Sequence, residues 1–357
     1  MKVSRTTTFL IILLPIQYFL VQFLSQRSDW IELYFSTGFF PFISNFFRYL
    51  FGWIPFSVGD ILGFILLFLL LKNCYQLIRS KFENFVIKLL NFSAYVSVLY
   101  FCFYAFWGLN YFRKPLTEKL DLQLSSYTTE QLYKTTDTII SLLNRSHYAI
   151  TENDSLKVVI PYSRKEIYHL APKGFAALSE TYPEFIYSYS SIKNSLVSFF
   201  HTYNGTSGYI NPISGEAQVN FLIPKNGVPT TTCHEIAHQI GWAAENDANF
   251  IGFLAAIKNK NHYFKYSGYR MAYKYCISEL NKRNQVLGNT LKDKVNKGVY
   301  KDYEDNYIFW KSYENSMEPY FKKGYNFFLK ANKQVNGINS YNYVVDLLVA
   351  YFEKTQH

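Results

Sequence analysis

Apolar positions run almost unbroken through the first third of the chain and become periodic only after about residue 112. Three of the early stretches can cross a bilayer, since a helix needs about 20 largely apolar residues to do so. They cover 9–24, 53–71 with the run "ILGFILLFLLL", and 89–109, "LLNFSAYVSVLYFCFYAFWGL". Lys2 and Arg5 before the first give it the look of a signal peptide, but no small-x-small cleavage signal follows "VQFLSQRSDW", which favours a retained anchor. Between the first two spans lies "WIELYFSTGFFPFISNFFRYLFGW", dense in aromatic rings and broken by Pro41. Such rings settle at headgroup level, so this segment is expected to lie along the interface.

Beyond residue 112 the spacing turns helical. "TTEQLYKTTDTIISLLNRSH" carries a capping box, Thr128 three before Gln131. "SRKEIYHLAPKGFAALSETYP" is a second helix, expected to kink or split at Pro172. "GTSGYINPISGEAQVNFLIP" (205–224) alternates between glycine and proline punctuation and predicts short strands with turns. Helices return at about 262–282, 301–330 and 340–354. The expected architecture is a helical transmembrane anchor of three spans, residues 1–112, followed at 113–357 by a mostly α, α+β domain with a small sheet.

Charge adds an orientation. Lys2 and Arg5, together with Lys72, Arg79, Lys81 and Lys88 between spans two and three, are expected on the cytoplasmic side. Three crossings then carry everything after Asn110 to the periplasmic or extracytoplasmic face, with Arg113 and Lys114 arguing weakly against. The net charge of +10 is spread among juxtamembrane and scattered lysines. It lacks the clustered basic face of nucleic-acid binders, so the expected partners are a lipid bilayer and a peptide or protein substrate, with no nucleic acid. Four cysteines make no disulfide framework; Cys233 and Cys276 are expected as small buried thiols.

The chemistry concentrates in "TTTCHEIAHQIGWAAENDANF". Residues four apart share a helix face, so His234 and His238 can present two imidazoles to one ion. Glu235 then points beside the ion, where it can take a proton from water as general base. Zinc suits imidazole and carboxylate donors and leaves a fourth position open in catalytic sites. Gly241 is placed to end the helix and turn the chain back, bringing Glu245, Asp247 and Asn249 within reach.

The spacing from Glu245 to Asn249 resembles the second motif of gluzincin-type metallopeptidases. That resemblance implies Glu245 as third ligand, with Asn249 hydrogen-bonded to a ligand imidazole. Asp247 is the rival. Seven residues from His238 to Glu245 are few for a gluzincin, and a metzincin would place histidine where Ala244 stands. The chain as a whole resembles a bacterial membrane family, the domain-of-unknown-function 3810 family. The shared features are the three spans, "GLNYFR" at 108–113, "GYINPISGEAQVN", the motif region, and the C-terminal "NGINSYNYVVDLLVAYF". The resemblance implies a zincin-like, membrane-anchored peptidase domain and an inner (plasma) membrane location, without a substrate.

The expectation is therefore a zinc metalloendopeptidase with Glu235 as catalytic base and His234, His238 and Glu245 on the metal; the alternative is a catalytically inactive zincin-like scaffold or binding protein. Residues 208–220 are the candidate edge for a substrate strand. His201, Tyr209 and Tyr269 are open candidates for oxyanion donor, Glu216 for lining the cleft, and Asp60 for a solvated carboxylate at the start of span two.

Overall fold

The computed structural model describes residues 3–124, 126–334, 337 and 343–356. Helix α1 (Arg5–Leu24) is capped by Ser4 and runs through Pro15. A short α2 (Ser28–Trp30) leads into a widened helical segment at Ile31–Phe39 and then α3 (Phe40–Gly52). The widening has a local cause: Thr37 Oγ1 donates to the Glu32 carbonyl, five residues back, at 2.6 Å. Helices α4 (Val58–Arg79) and α5 (Phe85–Phe106) follow. α1, α4 and α5 are each long and apolar enough to cross a membrane, and the chain is a membrane protein. α4 and α5 lie further along and further back, respectively, than the sequence pattern placed the second and third spans.

The body is built from α6 (Leu116–Leu120), α7 (Thr129–Thr151), α8 (Arg164–Ser179), α9 (Ser198–Tyr203), α10 (Val228–Gln239), α11 (Glu245–Lys258), α12 (His262–Arg283), α13 (Gln285–Lys292), α14 (Lys297–Lys311), α15 (Glu318–Ala331) and α16 (Val344–Gln356). The capping box at Thr128 and Gln131 forms as expected. α8 is not split: it continues through Pro172. The predicted helix at 301–330 is two, α14 and α15, and the first residues of the one expected at 340 lie outside the described residues. The core gathers the apolar stripes of α7, α8, α10, α11, α12 and α16, with Leu132, Phe175, Ile236, Phe253 and Leu348 fully buried.

A three-stranded sheet lies upstream of α10. β1 (Ile192–Asn194) pairs in parallel with β3 (Ala217–Val219), and β2 (Gly208–Ile210) pairs antiparallel on its other side. The candidate edge at 208–220 is thus half right. β1, which the sequence reading did not register, covers one side of β3, so β3 is the central strand and β2 alone is the edge on the other side.

The membrane segments are seated on this body. Glu216, fully buried, accepts from the amides of Val58 (3.2 Å) and Gly59 (2.7 Å) at the start of α4 and faces Lys193 Nζ at 3.3 Å. Instead of lining a cleft it caps a transmembrane helix, where a negative charge suits the helix dipole. Asp60 is likewise buried, not solvated: it accepts from Leu196 N at 2.7 Å and from the Tyr209 hydroxyl. In the interfacial segment, Glu32, Ser36, Phe40, Ser44 and Arg48 recur every four residues and turn inward. Glu32 pairs bidentately with Arg113 (2.9 and 3.1 Å) and with Lys119 (3.0 Å). Burial pushes the Glu32 carboxyl up, but the hydrogen bond and charge of Arg113 prevail and hold it below its ordinary value.

A second apolar cluster, including Ile31, Phe35, Phe40, Trp107, Tyr111 and Phe112, fuses the interfacial segment and the end of α5 to Ala243 and Leu329. At about 1.5–3 kcal/mol per buried large side chain, these six represent on the order of 10 kcal/mol, comparable to the whole stability of a typical domain, about 5–15 kcal/mol. A fragment comprising 113–357 alone is therefore expected to be unfolded or aggregated, while the full chain in detergent melts cooperatively. Circular dichroism and limited proteolysis decide it; a soluble fragment with a cooperative melt would show that the seat is dispensable.

Candidate metal centre

α10 begins with Pro229 in its first turn, where a missing N–H costs nothing, and ends on a glycine. Gly241 takes φ +90°. Trp242 N donates to the Ala237 carbonyl (3.1 Å) and Gly241 N to that of His238 (3.0 Å), the two bonds of a Schellman ending. A Cβ at Gly241 would also meet the Phe40 ring at 2.8 Å. The expected turn is therefore present, and the interfacial segment is packed against it.

Side chains from the membrane segments and from Arg113 just beyond them donate further hydrogen bonds to carbonyls at this end. Trp107 Nε1 donates to the His238 carbonyl (3.1 Å), Ser44 Oγ and Arg48 Nη1 to that of Gln239 (2.5 and 3.1 Å), and Arg113 Nη1 to that of Gly241 (2.9 Å). The Arg113 guanidinium lies 3.6 Å from the Trp242 ring centroid, a cation–π contact.

After the turn, α11 comes back across α10. The crossing is close because residue 252 is glycine: a Cβ there would stand 3.0 Å from His234 N and 3.1 Å from its Cα. This brings Glu245, the first residue of α11, to the imidazoles. His234 Nε2 is 3.3 Å and His238 Nε2 3.6 Å from the same oxygen, Glu245 Oε2, and the two rings stand perpendicular with centroids 4.6 Å apart. His238 Nδ1 is engaged by the Trp242 carbonyl at 2.7 Å, which directs Nε2 toward the carboxylate. Glu245 Oε1 is held from the other side by the Tyr325 hydroxyl at 2.5 Å.

Glu235 completes the group. A nitrogen of each imidazole and an oxygen of Glu235 all lie within 4.8 Å of one another. Gly208 of β2 lies directly over it: a Cβ there would fall 2.4 Å from Glu235 Oε1. The edge strand thus lies against the carboxylate expected to act as base.

Electrostatics mark the site as short of positive charge. Burial pushes the Glu235 carboxyl up to about 7, against the pull of the two imidazoles. Burial also acts against Glu245, but His234 and His238 hold it well below the usual carboxylate range. Burial would lower His238, yet its contacts with Glu245 raise it to about 9. Among the described residues, the buried Glu245 Oε2 and Glu235 Oε2 have no aligned hydrogen-bond donor and His234 Nδ1 has no partner. The 3.3 and 3.6 Å separations are close to the roughly 3.3 Å between ligand atoms of a tetrahedral ion at zinc–ligand distances near 2.0–2.1 Å. By distance and by donor set, His234, His238 and Glu245 fit a zinc ion.

The structure separates the two acids the sequence left open. Asp247 faces away from the imidazoles. Its Oδ1 accepts from Asn246 Nδ2 (2.9 Å); burial pushes its carboxyl up to about 7 against the charge of Arg113 and a hydrogen bond from the Leu116 backbone. It lines a cavity of about 210 Å³ with Asn110, Arg113, Lys114 and Asn246, which includes neither imidazole. The expected bond from Asn249 to a ligand imidazole is not formed; Asn249 Nδ2 and His234 Nδ1 are both without partners. Among the oxyanion candidates, Tyr209 spends its hydroxyl on Asp60 and Ser195, and Tyr269 packs on Phe253. His201 lies on the Tyr209 ring, centroids 4.5 Å apart. Sequence reasoning missed Tyr325, 80 residues beyond Glu245, for which no local signal exists. Gly252, a glycine inside a helical run, was a usable signal of close packing.

A cation here must displace the proton on His238, because only neutral imidazole coordinates. With that group raised to about 9, zinc affinity is expected to climb with pH up to that point, with at least one proton released per ion at neutral pH. Calorimetric titration of the full chain in two buffers of different ionisation enthalpy measures this; pH-independent binding without proton release would contradict the assignment.

No curated protein and no solved structure matches the chain. The family model described as "Protein of unknown function (DUF3810)" matches residues 35–349, and the chain belongs to that family.

Proposed function

We propose that this protein is a membrane-anchored, zinc-dependent metallopeptidase that hydrolyses peptide bonds with water. The observation that carries the reading is the convergence of His234, His238 and Glu245 Oε2, with the Glu235 carboxyl beside them and an edge strand above. When bound, zinc would supply Lewis acidity, polarising an acyl carbonyl and making nearby water easier to deprotonate.

The chain's own residues supply the rest. Tyr325 fixes one oxygen of Glu245 and Trp242 fixes one nitrogen of His238, so both side chains are held in orientation before any ligand arrives. Glu235 has one unpartnered oxygen in a buried setting and a carboxyl pushed up to about 7, matched to accepting a proton from water and returning it to the leaving amine. β2 offers the unpaired side of its backbone to an extended peptide, which gives sequence-tolerant affinity through main-chain hydrogen bonds. The basic residues Lys72, Arg79, Lys81 and Lys88 belong to the far ends of α4 and α5 and the turn between them, whereas the near ends join the body. This supports a body on the extracytoplasmic side of the membrane.

Glu235→Gln in the purified full chain is expected to retain zinc and lose peptide hydrolysis by about 10²–10⁴-fold, read on a fluorogenic peptide library with metal content measured in parallel. Turnover equal to wild type would end the mechanistic claim. Gly208→Ala tests the strand contact: the added methyl must displace the Glu235 carboxyl. It is expected to keep zinc and folding while lowering turnover severely, and wild-type turnover would show that β2 does not set the position of Glu235.

A further inference from the structure

Three of the elements that frame the site, β2, α10 and α15, are tied to the near ends of membrane helices. Asp60, in the first turn of α4, receives the hydroxyl of Tyr209, whose neighbour Gly208 covers Glu235. Trp107, just past α5, binds the carbonyl of His238. α15, which supplies Tyr325, reaches α5 through Tyr104 and Asn332 (3.0 Å), and Lys333 beyond it binds the Ser25 carbonyl at the end of α1 (2.7 Å).

These ties set a depth. α4 has 22 residues, about 33 Å at 1.5 Å each, against a hydrocarbon core of about 30 Å. Its first turn therefore lies at the hydrocarbon boundary. Asp60 in that turn also accepts from Leu196 N at 2.7 Å, two residues before α9. From there the body exposes large apolar side chains: Leu196, Phe199 and Phe200. The strand that precedes them is tied to the turn after α3, with Lys193 Nζ donating to the carbonyls of Phe51 (2.8 Å) and Phe56 (3.3 Å), and α3 with that turn exposes Phe42, Phe46 and Trp53. Aromatic residues gathered at the level where spans begin match the headgroup region.

We propose that α9 of the body, together with α3, is seated in the lipid headgroup region of the membrane the three helices cross, so that the site around Glu235 lies close to that depth. The occupant of this apolar face is the bilayer itself, because the face is continuous with the spans. If the peptidase reading holds, on which this step rests, the substrates are polypeptides cut within a few residues of the membrane, not freely soluble peptides.

The seat is read without activity. In a full chain with Cys74 and Cys102 replaced by serine, nitroxides are placed by Phe46→Cys and Phe199→Cys, with Leu67→Cys in mid-span and Tyr148→Cys on α7 as references. The proteins are reconstituted in phosphatidylcholine vesicles containing a minority of phosphatidylglycerol. Positions 46 and 199 are expected to favour oxygen over a water-soluble nickel complex, between the values at 67 and 148. Nickel accessibility at both equal to that at 148 would overturn the seat. A second arm compares one peptide library free in solution with the same library fused to a single apolar span in those vesicles. Tethered cleavage faster by about tenfold or more supports the substrate class, and equal rates overturn it. Cleavage of neither, with the depth pattern intact, sinks the peptidase reading and leaves the seat standing.

Discussion

Two buried carboxylates facing two imidazoles form the constraint on which this structure turns. Taking a carboxylate out of water is costly unless it is paired and hydrogen-bonded. Glu245 meets that cost through His234, His238 and Tyr325, while Glu235 meets it by pushing its own carboxyl up to about 7. The arrangement leaves oxygen atoms without donors in the interior, which native proteins rarely tolerate without a purpose. A divalent cation held by His234, His238 and Glu245 would resolve the imbalance, taking the place of the proton on His238 and giving Glu245 Oε2 a partner. The same donors without an ion would be a poor way to stabilise a core, since apolar packing achieves as much at less electrostatic cost.

Holding such a group requires rigid elements, and the chain obtains them by making the membrane segments part of the body. α10 and α11 cross at Gly252 closely enough to set the Glu245 position, and the turn between them is fixed by Gly241 and Phe40. Carbonyls at the end of α10 and in the turn after it receive donors from Trp107, Ser44, Arg48 and Arg113. None of these donors belongs to the helices that carry the ligands. Arg113, which on charge alone looked misplaced beyond the third span, bridges Glu32, Gly241 and Trp242 and so has a structural reason to be there.

What the sequence made legible follows the range of each interaction. The spans, the capping box at Thr128, the turn at Gly241 and the shared face of His234 and His238 all rest on neighbours within one or two turns, and those patterns could be read directly. The approach of Glu245 was readable because the chain returns within seven residues, but choosing it over Asp247 needed the helix crossing at Gly252. Glu216 and Asp60 were misjudged for one reason. Their partners, the α4 amides and Tyr209, lie about 150 residues away in sequence, so a carboxylate that looked like a cleft or surface group proved to be an anchor. Tyr325 and β1 escaped for the same reason, since the partner of each, Glu245 and β3, is distant in sequence.

The length of these contacts also orders assembly. A helix such as α10, with 12 residues, is marginal on its own in water, and the carbonyls at its C-terminal end find their donors on the interfacial segment and at the exit of α5. The geometry of His234, His238 and Glu245 therefore depends on the inward face that the segment from Ile31 to Gly52 lays on the body. Coupling the two has a physical consequence for the buried charged cluster. A cluster whose His238 and Glu245 are held in register by donors from the membrane segments depends on those segments for its geometry, so whatever it binds is bound where the chain is anchored.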